Sequence, residues 1–215
     1  MVDVGFDVKA GSVCGLFGAN GAGKSTLLKI ISRLELPDSG SVSYDGVDLA
    51  EKSFPIVGAM IEEPRFYPGI SGYENLRLLA RLSGDCEDED VMRAIKAVGL
   101  CPRERETVRS YSLGMKQRLY FAFAIMRRPK ILLLDEPFNG IDPIALASFE
   151  GLIQEFAANG AIVIISSHEI RELQAIVDKA VFLDHGKLIY ENDDAHRIDV
   201  FAEFLARVSR SGFVQ

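Results

Sequence analysis

The chain is poor in cysteine, in long apolar runs and in basic residues. Its three cysteines, Cys14, Cys86 and Cys101, form no C-x-x-C pair, which argues against a disulfide framework and against a zinc site. No apolar run approaches the ~18 to 20 residues that cross a bilayer. The N-terminus also lacks the basic and apolar regions of a signal peptide. We therefore expect reduced thiols, with Cys14 as a small buried apolar residue, and a cytoplasmic location.

The charge balance is acidic. Asp and Glu number 31 against 24 for Lys and Arg, which gives a formal net charge of -7. A dedicated nucleic-acid binder would need a basic surface to displace phosphate counterions, so we expect no nucleic-acid partner. The 215 residues, 48% of them hydrophobic, are enough for one large globular domain over residues 1–215.

The apolar patterns predict an α/β fold with a mostly parallel sheet. The runs at 130–137 (KILLLDEP) and 161–169 (AIVIISSHE) are typical of strands buried on both faces of such a sheet, with a helix between them. The dipeptide Asp45-Gly46 predicts the turn of a small antiparallel β-element. Residues 65–128 have a mostly helical pattern, in which Leu76, Leu79, Ala80 and Leu82 share one apolar helix face. We therefore expect a helical subdomain inserted in the α/β core. The acidic run at 85–90 is typical of a first helical turn, where carboxylates complement the helix dipole.

The most informative segment is GANGAGKST, residues 18–26, with the G-x-x-x-x-G-K-S spacing of a phosphate-binding loop. Its glycines let backbone N–H groups approach phosphate oxygens, Lys24 supplies charge to the β- and γ-phosphates, and the Ser25 hydroxyl can coordinate Mg²⁺. The alternative is a glycine-rich turn that only joins a strand to a helix. Apolar flanks favour the phosphate loop, since it requires a strand before it and a helix after it. The predicted binding residues are Asn20, Gly21, Ala22, Gly23, Lys24, Ser25 and Thr26, and the predicted helix face is Leu27, Leu28, Ile30, Ile31 and Leu34.

Two adjacent acids, Asp135 and Glu136, end the apolar run LLLDEP. We expect them at the carboxyl end of a buried strand, next to the end of the strand that carries the phosphate loop. There Asp135 can hold Mg²⁺, directly or through water, and Glu136 can polarise the attacking water. The alternative for such a pair is a helix cap, but the phosphate loop earlier in the chain favours the catalytic interpretation.

Residues 111–119, YSLGMKQRL, begin a helix for which Ser112 is a natural N-cap, and Ser112 with Gly114 at a helix N-terminus forms an anion site. At this point the chain resembles the ATP-binding subunits of ABC transporters, whose signature motif is typically LSGGQ followed by Q-R. Residues 138–143, FNGIDP, resemble the family's D-loop, and residues 166–169, SSHE, resemble the segment of its switch histidine. The resemblance covers nearly the whole chain and implies the P-loop NTPase core of the ABC ATPase fold.

The resemblance implies hydrolysis of ATP, with Mg²⁺, by a head-to-tail pair of such subunits. One subunit's phosphate loop and the other's signature helix would enclose each nucleotide, so that Ser112 and Gly114 contact the γ-phosphate in trans. Asp142 would help couple the two sites, and His168 would contact the γ-phosphate beside the catalytic Glu136. The second subunit would be an identical chain, and separate transmembrane permease subunits would place the pair peripherally at the inner face of the cell membrane.

One departure from the family pattern lies in the Q-loop. The position that is usually Gln is Glu62 in AMIEEP, with Glu63 as the alternative register. Glu62, Asp135 and Glu136 would then surround one Mg²⁺, and their repulsion would have to be offset by the metal or by a raised pKa. Together with the YSLGM signature, the acidic Q-loop resembles the branch that exports bacitracin and lantibiotic-type peptides.

A second departure lies at the N-terminus, where seventeen residues precede Gly18. The family usually has an aromatic residue that stacks on adenine further upstream, and Phe6 is too close to the loop to replace it. We therefore expect weak ATP binding with poor base selectivity, and two alternatives stay open for the N-terminus, a native start or a truncated one.

The sequence thus predicts a cytoplasmic ATPase subunit of a peptide or drug exporter, in which the Q-loop and the helical insertion transmit motion to the membrane subunits. Phe66, Tyr67 and Pro68 would lie on the coupling loop, or else anchor that loop to its own domain. Two alternatives stay open: an ABC-type ATPase without a transport role, and a subunit that binds nucleotide only to regulate a partner.

Overall fold

The computed structural model describes residues 1–48, 57–62, 65–84, 86–101, 106–139 and 143–210. Within them the helices are α1 (Lys24–Ile31), α2 (Gly72–Ser83), α3 (Asp88–Ala97), α4 (Leu113–Ile125), α5 (Pro143–Ala158), α6 (Ile170–Leu173) and α7 (Val200–Arg210). The strands are β1 (Val13–Phe17), β2 (Ser43–Tyr44), β3 (Val47–Asp48), β4 (Val57–Met60), β5 (Ile131–Asp135), β6 (Ile162–Ser167), β7 (Lys179–Asp184) and β8 (Lys187–Asn192). In these ranges, no helix has the length and apolar character needed to cross a membrane.

The main sheet has six strands in the order β4-β5-β6-β1-β7-β8. All neighbours are parallel except β7 and β8, which form an antiparallel hairpin. The mostly parallel α/β fold is therefore confirmed. The expectation that Asp135 lies next to the end of β1, the strand before the phosphate loop, is wrong, because β6 lies between β5 and β1. Ser166 of β6 pairs with Asp135 on one side and with Leu16 on the other, so the intervening strand supplies its own side chain to the site.

The strands alternate their side chains between two hydrophobic clusters, one on each face of the sheet. Leu132 and Leu134 of β5 belong to the cluster covered by α2, α3, α4 and α5, whereas Ile131 and Leu133 face the cluster covered by α1. Because both faces are covered, the strands are continuous apolar runs rather than alternating ones. Cys14 is fully buried in the second cluster, and burial raises the pKa of its thiol to about 12, as fits a small core residue.

Two predicted core positions are wrong. Leu34 is 63% exposed, because α1 ends at Ile31 and the chain has already left the sheet. Leu82 is 77% exposed at the end of α2, although Leu76 and Ala80 on the same helix are buried as predicted.

Three helices, α2 to α4, lie in sequence between β4 and β5, as the helical pattern predicts. The side chains of Ser71 and Glu74 form a capping box at the start of α2. The first turn of α3 carries three acids from Asp88 to Asp90, which confirms the expected role of the acidic run beside the helix dipole. The boundaries of a separate 65–128 subdomain stay a prediction.

A small antiparallel sheet contains only β2 and β3. Asp45 and Gly46 between them have φ angles of 52° and 78°, both in the left-handed region. That geometry is the one an Asp-Gly turn favours, so the hairpin predicted at this dipeptide is confirmed.

Gly58 in β4 marks a close approach between the sheet and α4. A Cβ atom at this position would lie 2.1 Å from the carbonyl oxygen of Ala124 and 2.8 Å from Cγ of Pro129. We therefore expect Gly58→Ala to lower the free energy of unfolding by about 1–3 kcal/mol, because α4 must move away from the strand. Urea denaturation measures the change.

Gly151→Ala is the matched control, since nothing lies within 4 Å of a Cβ atom at Gly151 on the exposed side of α5. This variant should gain about 0.5–1 kcal/mol from the greater helix propensity of alanine. Equal unfolding midpoints for the two variants would contradict the tight contact at Gly58.

Candidate nucleotide-binding site

The phosphate loop joins β1 to α1 at the carboxyl edge of the sheet. A Cβ atom at Gly18 would lie 2.4 Å from the carbonyl oxygen of Leu183, so only glycine lets the loop pass this close to β7. Gly21 and Gly23 have φ angles of 82° and 105°. Gly23 is the N-cap of α1, and no side chain caps this helix start or places an acid in its first turn. The N–H groups at the start of α1 are therefore available to an anion.

Lys24 is buried at the base of this loop, with 5% of its surface exposed. Its ammonium group donates to the carbonyl oxygens of Gly18, at 2.8 Å, and of Ala19, at 3.3 Å. It also lies 3.3 Å from Oε1 of Glu136. The loop thus holds a cation beside the open helix N-terminus. The next two residues of the loop, Ser25 and Thr26, are exposed.

The ends of β5 and β6 fix the two predicted acids. The hydroxyl of Ser166 donates to Oδ1 of Asp135 at 2.5 Å, and the main-chain N–H of Glu136 donates to Oγ of Ser166 at 3.0 Å. Glu136 has a φ angle of 47°, in the left-handed region that a residue with a side chain rarely adopts. Strained backbone of this kind is typical of functional positions.

His168 contacts Glu136 directly. Its ring Nδ1 lies 2.7 Å from Oε2 of Glu136, and its main-chain N–H is 3.4 Å from the same oxygen. The Glu136 carboxylate therefore lies between the Lys24 ammonium and the His168 ring, with one oxygen towards each. The two predicted catalytic residues and the predicted phosphate-binding lysine form one contiguous cluster.

Ser112 and Gly114 lie elsewhere, at the N-terminus of α4. The Ser112 hydroxyl accepts a hydrogen bond from the main-chain N–H of Met115 at 3.2 Å, which is the expected N-cap. Both residues line an open cleft of about 370 Å³ together with Arg118 and Cys101. In the hydrogen bonds and ion pairs of the described residues, neither one contacts the phosphate loop of its own chain.

Glu62 follows β4 and turns its side chain towards α1. Its Oε1 lies 2.8 Å from Nζ of Lys29, and 70% of the side chain is exposed. The hydrogen bond from Lys29, with the charge of the same group, lowers the pKa of Glu62. Its main-chain oxygen accepts a hydrogen bond from the Tyr120 hydroxyl. Burial raises the pKa of Tyr120 to about 12, so this hydroxyl stays a donor at neutral pH.

The expected arrangement of Glu62, Asp135 and Glu136 around one Mg²⁺ stays a prediction. The part of the chain that the structure describes contains no group of three His, Cys, Asp or Glu side chains able to hold a metal. Glu62 instead finds its counter-charge in Lys29. The alternative Q-loop residue Glu63 and the D-loop residue Asp142 lie outside the described residues.

The loop after Glu62 is anchored and exposed at once. Asn75, 1% exposed, accepts a hydrogen bond from the main-chain N–H of Tyr67 at 2.7 Å and donates to the Tyr67 carbonyl at 3.0 Å. Phe66 packs against the core, whereas the Tyr67 side chain is 60% exposed. Phe66 and the Asn75 bonds thus anchor the loop to its own domain, and the coupling role of the loop stays a prediction.

Sequence reasoning missed Ser166, Lys29 and Tyr120 as partners of the site. Ser166 could have been found from its position two residues before His168, at the end of a strand whose neighbours also end at the site. Lys29 and Tyr120 lie within helices, and no local pattern indicates that Glu62 contacts both.

Comparison with known proteins gives a consistent result. The sequence profile described as ABC transporter matches residues 1–139. The bacitracin transport ATP-binding protein BcrA of Enterococcus faecalis is 40% identical over 192 residues, which cover 87% of this chain and 62% of BcrA. The lantibiotic transport ATP-binding protein SrtF of Streptococcus pyogenes is 36% identical over 191 residues, which cover 89% of this chain and 83% of SrtF. The chain therefore spans about three fifths of BcrA and most of SrtF.

Solved structures agree with the sequence matches. An ATP-binding subunit of an ABC transporter superposes with a TM-score of 0.78 and 29% identity, covering 94% of this chain and 85% of that chain. The dimeric structure of MJ0796, a bacterial ABC transporter cassette, gives a TM-score of 0.76 at 22% identity, with 87% of this chain and 88% of that chain covered. At 22% identity, the match to MJ0796 shows that the two chains share a fold.

Proposed function

The chain belongs to the ABC transporter family, and from this membership we propose that it binds and hydrolyses ATP as the energy-supplying subunit of a peptide or drug exporter. The observation that carries the proposal is the cluster of Lys24, Glu136 and His168 beside the uncapped start of α1. A phosphate-binding cation, a carboxylate and an imidazole in direct contact are the groups that hydrolysis of a phosphoanhydride requires.

The cluster can exchange partners when ATP arrives. Lys24 now neutralises Glu136 across 3.3 Å. The β- and γ-phosphates would take over the ammonium group, because a triphosphate carries more charge than one carboxylate. Glu136, kept in place by His168, is then free to accept a proton from the water that attacks the γ-phosphorus. The γ-phosphoryl group passes to that water, and ADP leaves with the electron pair of the broken P–O bond.

The oxygen donors at the loop fit Mg²⁺. Ser25 offers an exposed hydroxyl beside Lys24, and Asp135 offers a carboxylate that Ser166 orients. Magnesium is typically held by one or two such protein oxygens together with substrate phosphates, rather than by a complete protein cage. Ser25 and Asp135 would hold the ion, and the bound ion would offset the negative charge of the phosphate groups.

We propose further that two copies of this chain pair head to tail. Ser112 and Gly114 form a capped helix start with an open cleft, yet in the hydrogen bonds and ion pairs of the described residues neither contacts the phosphate loop of its own chain. A second copy can bring this helix start to the exposed side of a bound nucleotide, where its N–H groups would contact the γ-phosphate. The MJ0796 cassette, which has the same fold and is dimeric, supports pairing of two copies.

Cys101 offers a direct test of the paired state, because it is exposed and lines the cleft of Ser112 and Gly114. We expect ATP with Mg²⁺ to slow the alkylation of Cys101 by N-ethylmaleimide about tenfold in a slowly hydrolysing variant, Glu136→Gln. This follows if roughly 90% of the protein is paired. Mass spectrometry of the Cys101 peptide measures the rate.

Two controls accompany that measurement. Cys86 is only half-buried, so a Cys86→Ser background removes its signal, whereas Cys14 is fully buried. Ser112→Arg should keep ATP binding but lose the protection, because the larger, positively charged side chain fills the cleft and prevents the second copy from pairing there. Equal alkylation rates with and without nucleotide in the Cys86→Ser protein would contradict pairing at this surface.

The membrane partner is proposed to dock beside the Tyr67 loop. A groove of about 680 Å³ there has three cations on its rim, Arg65, Arg109 and Lys116, although the whole chain carries a net charge of -7. Leu113, at 55% exposure, adds an apolar surface to the same groove. This combination fits an acidic segment with an apolar side chain, projecting from a permease at the inner face of the membrane. The named roles of BcrA and SrtF, bacitracin and lantibiotic transport, support peptides as the cargo.

A further inference from the structure

Glu62 is held at two points by two different helices. Lys29 of α1 binds its carboxylate at 2.8 Å, and the Tyr120 hydroxyl of α4 donates to its main-chain oxygen. Lys29 lies five residues after Lys24 on the helix that follows the phosphate loop, and Tyr120 lies on the helix that Ser112 caps. Glu62 therefore contacts both α1, which begins at the phosphate loop, and α4, whose start the proposed function places at the nucleotide of the second copy.

The two contacts differ in how easily they can be broken. The side chain of Tyr120 is on a residue only 8% exposed, so its hydrogen bond to the Glu62 carbonyl is shielded from water. The Glu62 carboxylate is 70% exposed and can change direction without leaving solvent. Ion pairs of this kind are weak, because water and salt screen them.

Lys29 also has a second acid within reach. Oε1 of Glu35 lies 3.6 Å from the Lys29 ammonium, farther away than Oε1 of Glu62. When Glu62 leaves, Lys29 therefore keeps a carboxylate partner on its own side of the fold. Because Lys29 keeps Glu35 as an ionic partner, the Glu62 carboxylate can leave at little cost and so can occupy two alternative positions.

We propose that Lys29 is a positioning residue that withholds the Glu62 carboxylate from a magnesium nucleotide bound at Lys24, while Tyr120 keeps the Glu62 main chain in place. This inference rests on the proposed function, because it requires a nucleotide at the phosphate loop. In the position seen, Glu62 pairs with Lys29. In the other, it faces the metal from the end of β4, beside β5, the strand that carries Asp135.

The test is a double-mutant cycle on magnesium binding. The fluorescence of a mant-labelled ATP analogue, held at saturating concentration, is followed while Mg²⁺ is titrated into the protein. Lys29→Gln should lower the half-saturating Mg²⁺ concentration by about two- to fivefold, the range that a screened surface pair allows. Glu62→Gln should raise it, and Lys29→Gln should have no further effect in the Glu62→Gln background.

Matched variants separate positioning from a general change of charge. Lys29→Arg keeps the cation and should behave like the parent. Lys96→Gln removes an exposed cation from α3, far along the chain from the Glu62 contacts, and should also leave the titration unchanged. Tyr120→Phe removes only the hydroxyl, and by freeing the Glu62 main chain it should reduce the effect of Lys29→Gln.

The outcomes are distinguishable from those of the proposed function. An equal shift from Lys29→Gln in both backgrounds, or no shift at all, overturns the positioning role, because the lysine then acts without Glu62. If the analogue binds the parent and a Lys24→Met variant equally, the phosphate loop is not its site. In that case the proposed function fails, and the positioning role fails with it.

Discussion

Glu136→Gln should lower the rate of ATP hydrolysis by ~100-fold or more while ATP-dependent pairing of two chains is retained. Glutamine fills the same space and can keep contacts to Lys24 and His168, which now lie 3.3 Å and 2.7 Å from the two carboxylate oxygens. It cannot accept a proton from water at neutral pH. The loss should therefore appear in kcat, with little change in KM. Release of inorganic phosphate at saturating ATP and Mg²⁺ measures it.

Glu155→Gln is the control for the loss of one carboxylate. Glu155 lies exposed on α5 and belongs to none of the contacts around Lys24. Its hydrolysis rate should equal that of the parent. If Glu136→Gln also hydrolyses ATP at the parental rate, Glu136 is not the general base, and the regulatory alternative, a subunit that binds nucleotide without hydrolysing it, gains support.

Lys24→Met should lower the affinity for ATP by ~100-fold or more, because the phosphates lose at least two charge-assisted hydrogen bonds. Methionine is of similar length, so the substitution removes the charge while the buried stem of the side chain stays packed. It also leaves Oε1 of Glu136 without its cation and the carbonyl oxygens of Gly18 and Ala19 without their donor. Some loss of stability is therefore expected together with the loss of binding.

Isothermal titration with ATP separates the two effects when thermal unfolding is recorded on the same sample. Lys96→Met, at an exposed position on α3, removes a lysine from a different element and should bind ATP like the parent. A folded Lys24→Met protein with parental affinity would show that the phosphates bind elsewhere.

The same titration of the parent tests a second expectation, that ATP binds weakly without an aromatic residue to stack on adenine. Phe6 packs against the hydrophobic cluster that α1 covers.

The sequence predicts those parts of the site that local patterns determine. The glycine spacing defines the loop around Lys24, and apolar runs define the strands that end at Asp135 and before His168. Each of these features needs only a short window of residues. The family resemblance supplied the roles of His168 and Ser112, which stay predictions; the structure places His168 against Glu136 and Ser112 at the start of α4.

Long-range arrangements were not predictable in this way. The position of β6 between β1 and β5 depends on pairing across the whole sheet, which no local pattern encodes. The partner of Glu62 is a half-buried lysine in a different element, and charged side chains carry no periodic signal of their contacts. Leu34 and Leu82 were misplaced because apolar spacing continues past the point where each helix leaves the core.

A crystal structure with Mg²⁺ and a non-hydrolysable ATP analogue tests the central claim most directly. The account predicts that the Lys24 ammonium has exchanged Oε1 of Glu136 for phosphate oxygens, with the start of α1 facing the same phosphates and Glu136 still bound to His168. A nucleotide found at another surface, with Lys24 and Glu136 still 3.3 Å apart, would contradict it.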